Sequence, residues 1–221
     1  MILENVEQWI RSYDNTPDGR KWNRAATRTY EALRRAPSLA SREAITALRY
    51  GLDEFEMHRR MYLRGSGLGE REFEDRLRQV LEEMDIDGHA AALSEASLDT
   101  ADIAGLRNRI MQMYWPLASG GDGGLDAQGG DFHVGATKIL HFLFPDFLIM
   151  LDKRVAMAFR EHHGVAFRRT TQPGWGVGRY IECLEHAQDE IRAYGPSKLR
   201  ELAPGTPLPR IFEKVAWGIG G

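Results

Sequence analysis

An apolar run, FPDFLIMLD at residues 144–152, ends in a single carboxylate, and Lys153, Arg154 and Arg160 follow it closely. Upstream, in the short segment ATKILHFLF at 136–144, stand Lys138 and His141. A fixed carboxylate can stabilise a developing positive charge and can orient or activate an attacking water. Asp152 also suits a plainer role, because aspartate before an apolar-periodic segment caps a helix by accepting backbone N–H bonds. The two roles are compatible. His162 and His163 are adjacent and point in different directions along a helix, so they make a poor metal pair, and no metal site is expected.

The elements that must position these groups read as helices. Ile103, Leu106, Ile110, Met113 and Tyr114 recur at three- and four-residue steps, as do Ala136, Ile139, Leu140, Leu143 and Phe144, and Val177, Tyr180, Ile181, Leu184 and Ile191. On the second of these stripes Lys138 falls almost opposite the apolar side, which predicts a lysine facing away from the core. Ser41 opens another helix, expected to run through Leu63 to the glycines of RGSGLG. Glycine-rich ASGGDGGLDAQGGDFHVG, 118–135, separates a helix expected to end near Trp115-Pro116 from the one at 136–144. It is expected to be a loop inside one domain. No alternation of period two persists for a strand's length, so the expected class is all-α.

The chain has 221 residues, 43% of them hydrophobic and 28% charged, which is ordinary globular composition. That length fits a single domain over 1–221, or two interlocked helical subdomains with a cleft between them. No apolar run reaches the roughly 18 residues of a membrane span, and the charged N-terminal segment is not read as a secretory signal. Cys183 is the only cysteine, which excludes an intramolecular disulfide and a cysteine-based zinc cluster. A reducing cytoplasm is the expected compartment. The net charge of −3 is unevenly spread. Arg20, Lys21, Arg24 and Arg28 form one basic cluster and 152–169 a second, with an acidic stretch at 70–102 between them. Such asymmetry permits one polyanion-binding face on a mildly acidic protein; solvated helix faces would produce the same pattern.

The order of these segments resembles the helix-hairpin-helix DNA glycosylase superfamily. FHVGATK (132–138) looks like the second half of that family's phosphate-gripping hairpin. LDKRVAMAFR (151–160) looks like its catalytic-aspartate segment, with Asp152, Val155 and Arg160 at the matching positions of a D-x-x-V-x-x-x-x-R pattern. The closing LPRIFEKVAWGIGG is similar to the terminal helix of several such proteins. His133 stands where the first hairpin glycine would be, and Thr137 where strand-cutting members carry a lysine, with Lys138 one residue late.

The resemblance implies a helix-hairpin-helix glycosylase-like fold with the hairpin and catalytic segment near 118–165. The implied protein is a monomer that acts on double-stranded DNA carrying a modified base, in repair or in defence against phage DNA, without a cofactor. It would be a monofunctional N-glycosylase that flips the base and leaves an abasic site. Asp152 would be its catalytic carboxylate and Lys138 a possible second catalytic group. Trp22, Tyr114, Trp115, His133 and Trp175 are the candidates to hold an extruded base. Arg20, Lys21, Arg24, Arg28, Gly135, Lys153, Arg154 and Arg160 are the candidate DNA contacts. The alternative is a helical DNA- or RNA-binding module without chemistry.

Overall fold

The structure is a computed structural model that describes residues 1–55, 70–118, 125, 132–167 and 176–220. Eleven helices and no strand occur among the described residues: α1 (Val6–Asn15), α2 (Pro17–Arg35), α3 (Arg42–Glu54), α4 (Glu70–Glu83), α5 (Ile86–Ala92), α6 (Ile103–Ala118), α7 (His133–Leu143), α8 (Lys153–His163), α9 (Val177–Tyr194), α10 (Pro196–Leu202) and α11 (Leu208–Ile219). The protein is all-α. None of these helices is long and apolar enough to cross a membrane.

Local chemistry sets the helix boundaries. Thr16 accepts from Gly19 N, and Pro17 follows it at the first helical position of α2. Ser41 accepts from Ala44 N and opens α3, which ends at Glu54; the remainder of the helix expected there lies outside the described residues. Gly164, in the left-handed conformation at φ 69°, stops α8. Helix α6 continues through Pro116 to Ala118, two residues beyond its expected end.

Helix α7 is the centre of the molecule, packed against α2, α3 and α6. It begins at His133, three residues earlier than its apolar stripe predicts, and every residue from Gly135 to Leu143 is buried. The expectation that Lys138 faces outward is therefore corrected: with neighbours on several sides, α7 has no solvated face there, and Lys138 is 6% exposed. On the other side of the molecule α11 packs against both α1 and α8. Gly220 makes the latter approach possible, because a Cβ there would stand 2.1 Å from the Arg154 carbonyl oxygen.

Candidate functional site

In the connector between α7 and α8, Phe147 to Leu151 are buried, and Leu148 to Leu151 belong to no helix or strand. A buried segment outside regular structure must find partners for its backbone polar groups, and here side chains from three helices supply them. His141 of α7 bonds the Leu148 carbonyl at 2.7 Å, and the Tyr180 hydroxyl of α9 donates to the Ile149 carbonyl at 2.9 Å. Met150 N donates to Glu213 Oε1 of α11, and Leu151 N to Thr137 Oγ1 of α7 at 3.1 Å. Four consecutive residues are thus tied to the core immediately before Asp152.

Asp152 then opens α8. Its Oδ1 accepts from Arg154 N at 2.9 Å and Val155 N at 3.0 Å. No described residue bonds its other oxygen, Oδ2. The half-buried side chain sits on the wall of a cleft of about 390 Å³ that lies between the α1–α2 corner, α7, the start of α8 and α11. Lys138 lines the same cleft and donates to the Phe55 carbonyl at 3.2 Å.

Aromatic rings build the opposite walls. Trp22 stacks on Phe55 at 5.8 Å with an interplanar angle of 16°. Trp217 meets Trp22 and Tyr13 edge-on, each at 5.3 Å. The Trp22 indole N–H is committed to the Glu54 carbonyl at 3.1 Å, which fixes the ring's orientation. At the rim, the Arg154 guanidinium lies 3.9 Å over the Trp217 ring. An apolar, aromatic chamber with a few polar groups is the usual construction of a site for a small planar ligand.

The floor is a buried charged network. Arg210 donates to Glu213 Oε2 at 3.2 Å and to the Tyr13 hydroxyl at 2.5 Å. His141 Nδ1 also lies 3.1 Å from Glu213 Oε1, so it faces two oxygens and carries the ring proton; Nε2 then accepts from the Tyr30 hydroxyl. Burial pushes the Glu213 carboxyl up to about 7, with Arg210 opposing the rise, and pushes His141 down to about 3. Burial likewise raises the Tyr13 and Tyr30 hydroxyls above their ordinary range. The interior thus favours neutral His141 and weakens the acidity of Glu213.

The residues expected from the sequence fall in several places. Asp152, Lys138, Trp22, Lys153 and Arg154 line the cleft. Arg20, Arg24 and Arg28 share one exposed face of α2, where Arg28 lies 4.7 Å over the Tyr50 ring, and Lys21 pairs with Glu54 at 3.5 Å. Arg160 is exposed farther along α8. Gly135 lies in the first turn of α7 against the Phe132 ring; most of the glycine-rich stretch before it, including 126–131, lies outside the described residues. Tyr114 and His133 are buried against each other, stacked at 5.7 Å and joined by a 2.8 Å hydrogen bond, and do not line the cleft. Trp115 is 41% exposed on α6 and also stands apart from it. Trp175 lies outside the described residues.

Sequence reasoning missed Tyr13, Phe55, Arg210, Glu213 and the cleft position of Trp217. A signal was present: Arg210, Glu213, Lys214 and Trp217 follow the i, i+3, i+4, i+7 spacing of one helix face within an otherwise apolar segment. A charged stripe on a helix buried all round has to face other polar groups.

Fold and site together define an all-helical protein with an aromatic-walled cleft and a capping carboxylate on its rim. Comparison with protein-family models, curated proteins and solved structures finds no match. Its function has to be read from the cleft itself.

Proposed function

We propose that this protein is a DNA N-glycosylase of helix-hairpin-helix type that excises a modified base. The observation that carries the reading is Asp152: one oxygen is spent on capping α8, and the other is uncommitted among the described residues at the wall of an aromatic cleft. A flipped base would lie against the aromatic wall that Trp22 and Trp217 help to build, with its sugar toward Asp152. As the C1′–N bond breaks, its electron pair leaves with the base and positive charge grows on the sugar. The carboxylate stabilises that charge. A water oxygen then bonds to C1′, one water proton passes to Asp152, and the departing base takes a proton from solvent. Lys153, Arg154 and the exposed arginines of α2 would hold the backbone phosphates.

The test uses plasmid DNA treated separately with nitrous acid, an alkylating agent and hydrogen peroxide, together with hypermodified phage DNA, and mass spectrometry of the released bases. Wild type is expected to release a base from at least one of these DNAs. Asp152→Asn, which preserves the cap, is expected to bind that DNA and release nothing. Undiminished excision by the variant refutes the mechanism. A non-catalytic binding module would shift DNA yet leave every glycosidic bond intact.

A further inference from the structure

Glu213 lies 61 residues from Asp152 in sequence, yet its carboxylate ends on the connector that delivers Asp152 to the cleft. Three donors converge on it: Met150 N, the Arg210 guanidinium and the His141 ring N–H. Three donors around two oxygens favour the ionised form geometrically, while 2% exposure opposes it. Met150 is two residues before Asp152, so withdrawing charge from Glu213 loosens the hold on the segment that aims the carboxylate. Glu213 is also close enough to Asp152 for the two charges to interact, and both line the same cleft.

We infer that ionised Glu213 is the positioning residue for Asp152 and makes base release dependent on its own protonation state. The inference rests on the reading of Asp152 as the catalytic carboxylate. Tyr13 of α1, Tyr30 of α2, His141 of α7, Tyr180 of α9, Arg210 of its own helix and Asp152 are the charged and titratable groups that face it. The three tyrosines and His141 are neutral at pH 7 in the folded protein. Glu213 is then the group placed to titrate near neutrality, its carboxyl pushed up to about 7.

Single-turnover release from the treated DNAs above, followed between about pH 5.5 and 8.5, tests this. The wild-type rate should fall on the acid side of a midpoint near neutrality and level off about tenfold lower, once Glu213 is neutral. Glu213→Gln can still accept from Met150 N but carries no charge. It should run about tenfold slower than wild type at the alkaline end, with KM unchanged and the acid limb gone. Arg210→Gln removes the cation that lowers the Glu213 carboxyl, so its limb should move to higher pH. A wild-type profile flat across the range, or a limb that persists unchanged in Glu213→Gln, overturns the positioning role. If Glu213→Gln does not fold, the wild-type limb and its shift in Arg210→Gln decide. Full release by Asp152→Asn, or no release by wild type from any of these DNAs, instead overturns the glycosylase reading and takes this inference with it.

Discussion

Removing either half of the His141–Glu213 pair should unmask a pH dependence of stability that the intact pair hides. In the folded protein burial holds His141 at about 3, against an ordinary 6.5, and Glu213 at about 7, against 4.5. Between pH 4.5 and 6.5 the unfolded chain therefore carries protonated His141 and ionised Glu213, while the folded chain carries both groups neutral. The pair binds one proton in either state, so it adds no slope to stability in that window. In Glu213→Gln only His141 remains. The unfolded state then binds a proton that the folded state does not, and stability falls as pH drops by about 1.4 kcal/mol per unit. In His141→Asn only Glu213 remains, and the sign reverses. Its folded carboxyl is raised, so its contribution is complete below 4.5 and is lost as pH rises through about 7.

Across the two units of the shared window each slope amounts to about 3 kcal/mol, in opposite directions, a large part of the total stability of an ordinary domain. The assay is urea unfolding at a series of pH values, with each variant's profile subtracted from the wild type's. Subtraction removes the background from other shifted groups, among them His89, His163 and Asp99. It also removes the fixed cost of each substitution, which displaces a curve without tilting it. Difference profiles that are both flat, or both tilted the same way, refute the assignment of protons in this core.

Thr137→Val leaves Leu151 N without its buried acceptor and should cost about 1–3 kcal/mol in urea unfolding. Trp22→Leu removes one stacking face, and base release should fall roughly 10- to 100-fold with DNA binding retained, as stacking energies of about 1–3 kcal/mol imply. Borohydride should trap no covalent DNA adduct on wild type; an adduct that disappears in Lys138→Gln would show that Lys138 attacks the sugar. Arg24→Gln should lower the slope of log affinity against log salt by about 1 if that side chain meets a phosphate, and an unchanged slope removes α2 from the DNA face.

Helix periodicity was readable because it is local: the stripes at 103–114 and 177–191 lie on helices that bury those same positions, Leu106 only in part. The same reasoning failed at Lys138, where the pattern left one polar position on a short helix and implied a solvated side. Whether a helix has a solvated side depends on how many neighbours cover it, and α2, α3 and α6 come from distant parts of the chain. The cleft was half legible for a related reason. Asp152 and its basic neighbours share a segment, whereas the aromatic walls come from α1, α2, the end of α3 and α11. No spacing rule links Tyr13 to Trp217.

A capping carboxylate and a reacting one make different demands, and the difference can be measured at Asp152. A cap needs one acceptor oxygen, and asparagine and serine cap about as well as aspartate. If capping were the whole role, Asp152→Asn and Asp152→Ser would keep both stability and any activity the protein has. A reacting carboxylate also needs its charge, its second oxygen and a fixed aim. The structure meets the last of these at some cost, committing side chains of α7, α9 and α11 to four successive connector residues. A cap alone does not require such support, since the Arg154 and Val155 N–H groups orient it locally. Asp152→Asn should therefore change unfolding free energy by no more than about 0.5 kcal/mol while abolishing base release. Base release by Asp152→Asn at the wild-type rate, with stability also unchanged, would return Asp152 to the ordinary role of a helix cap.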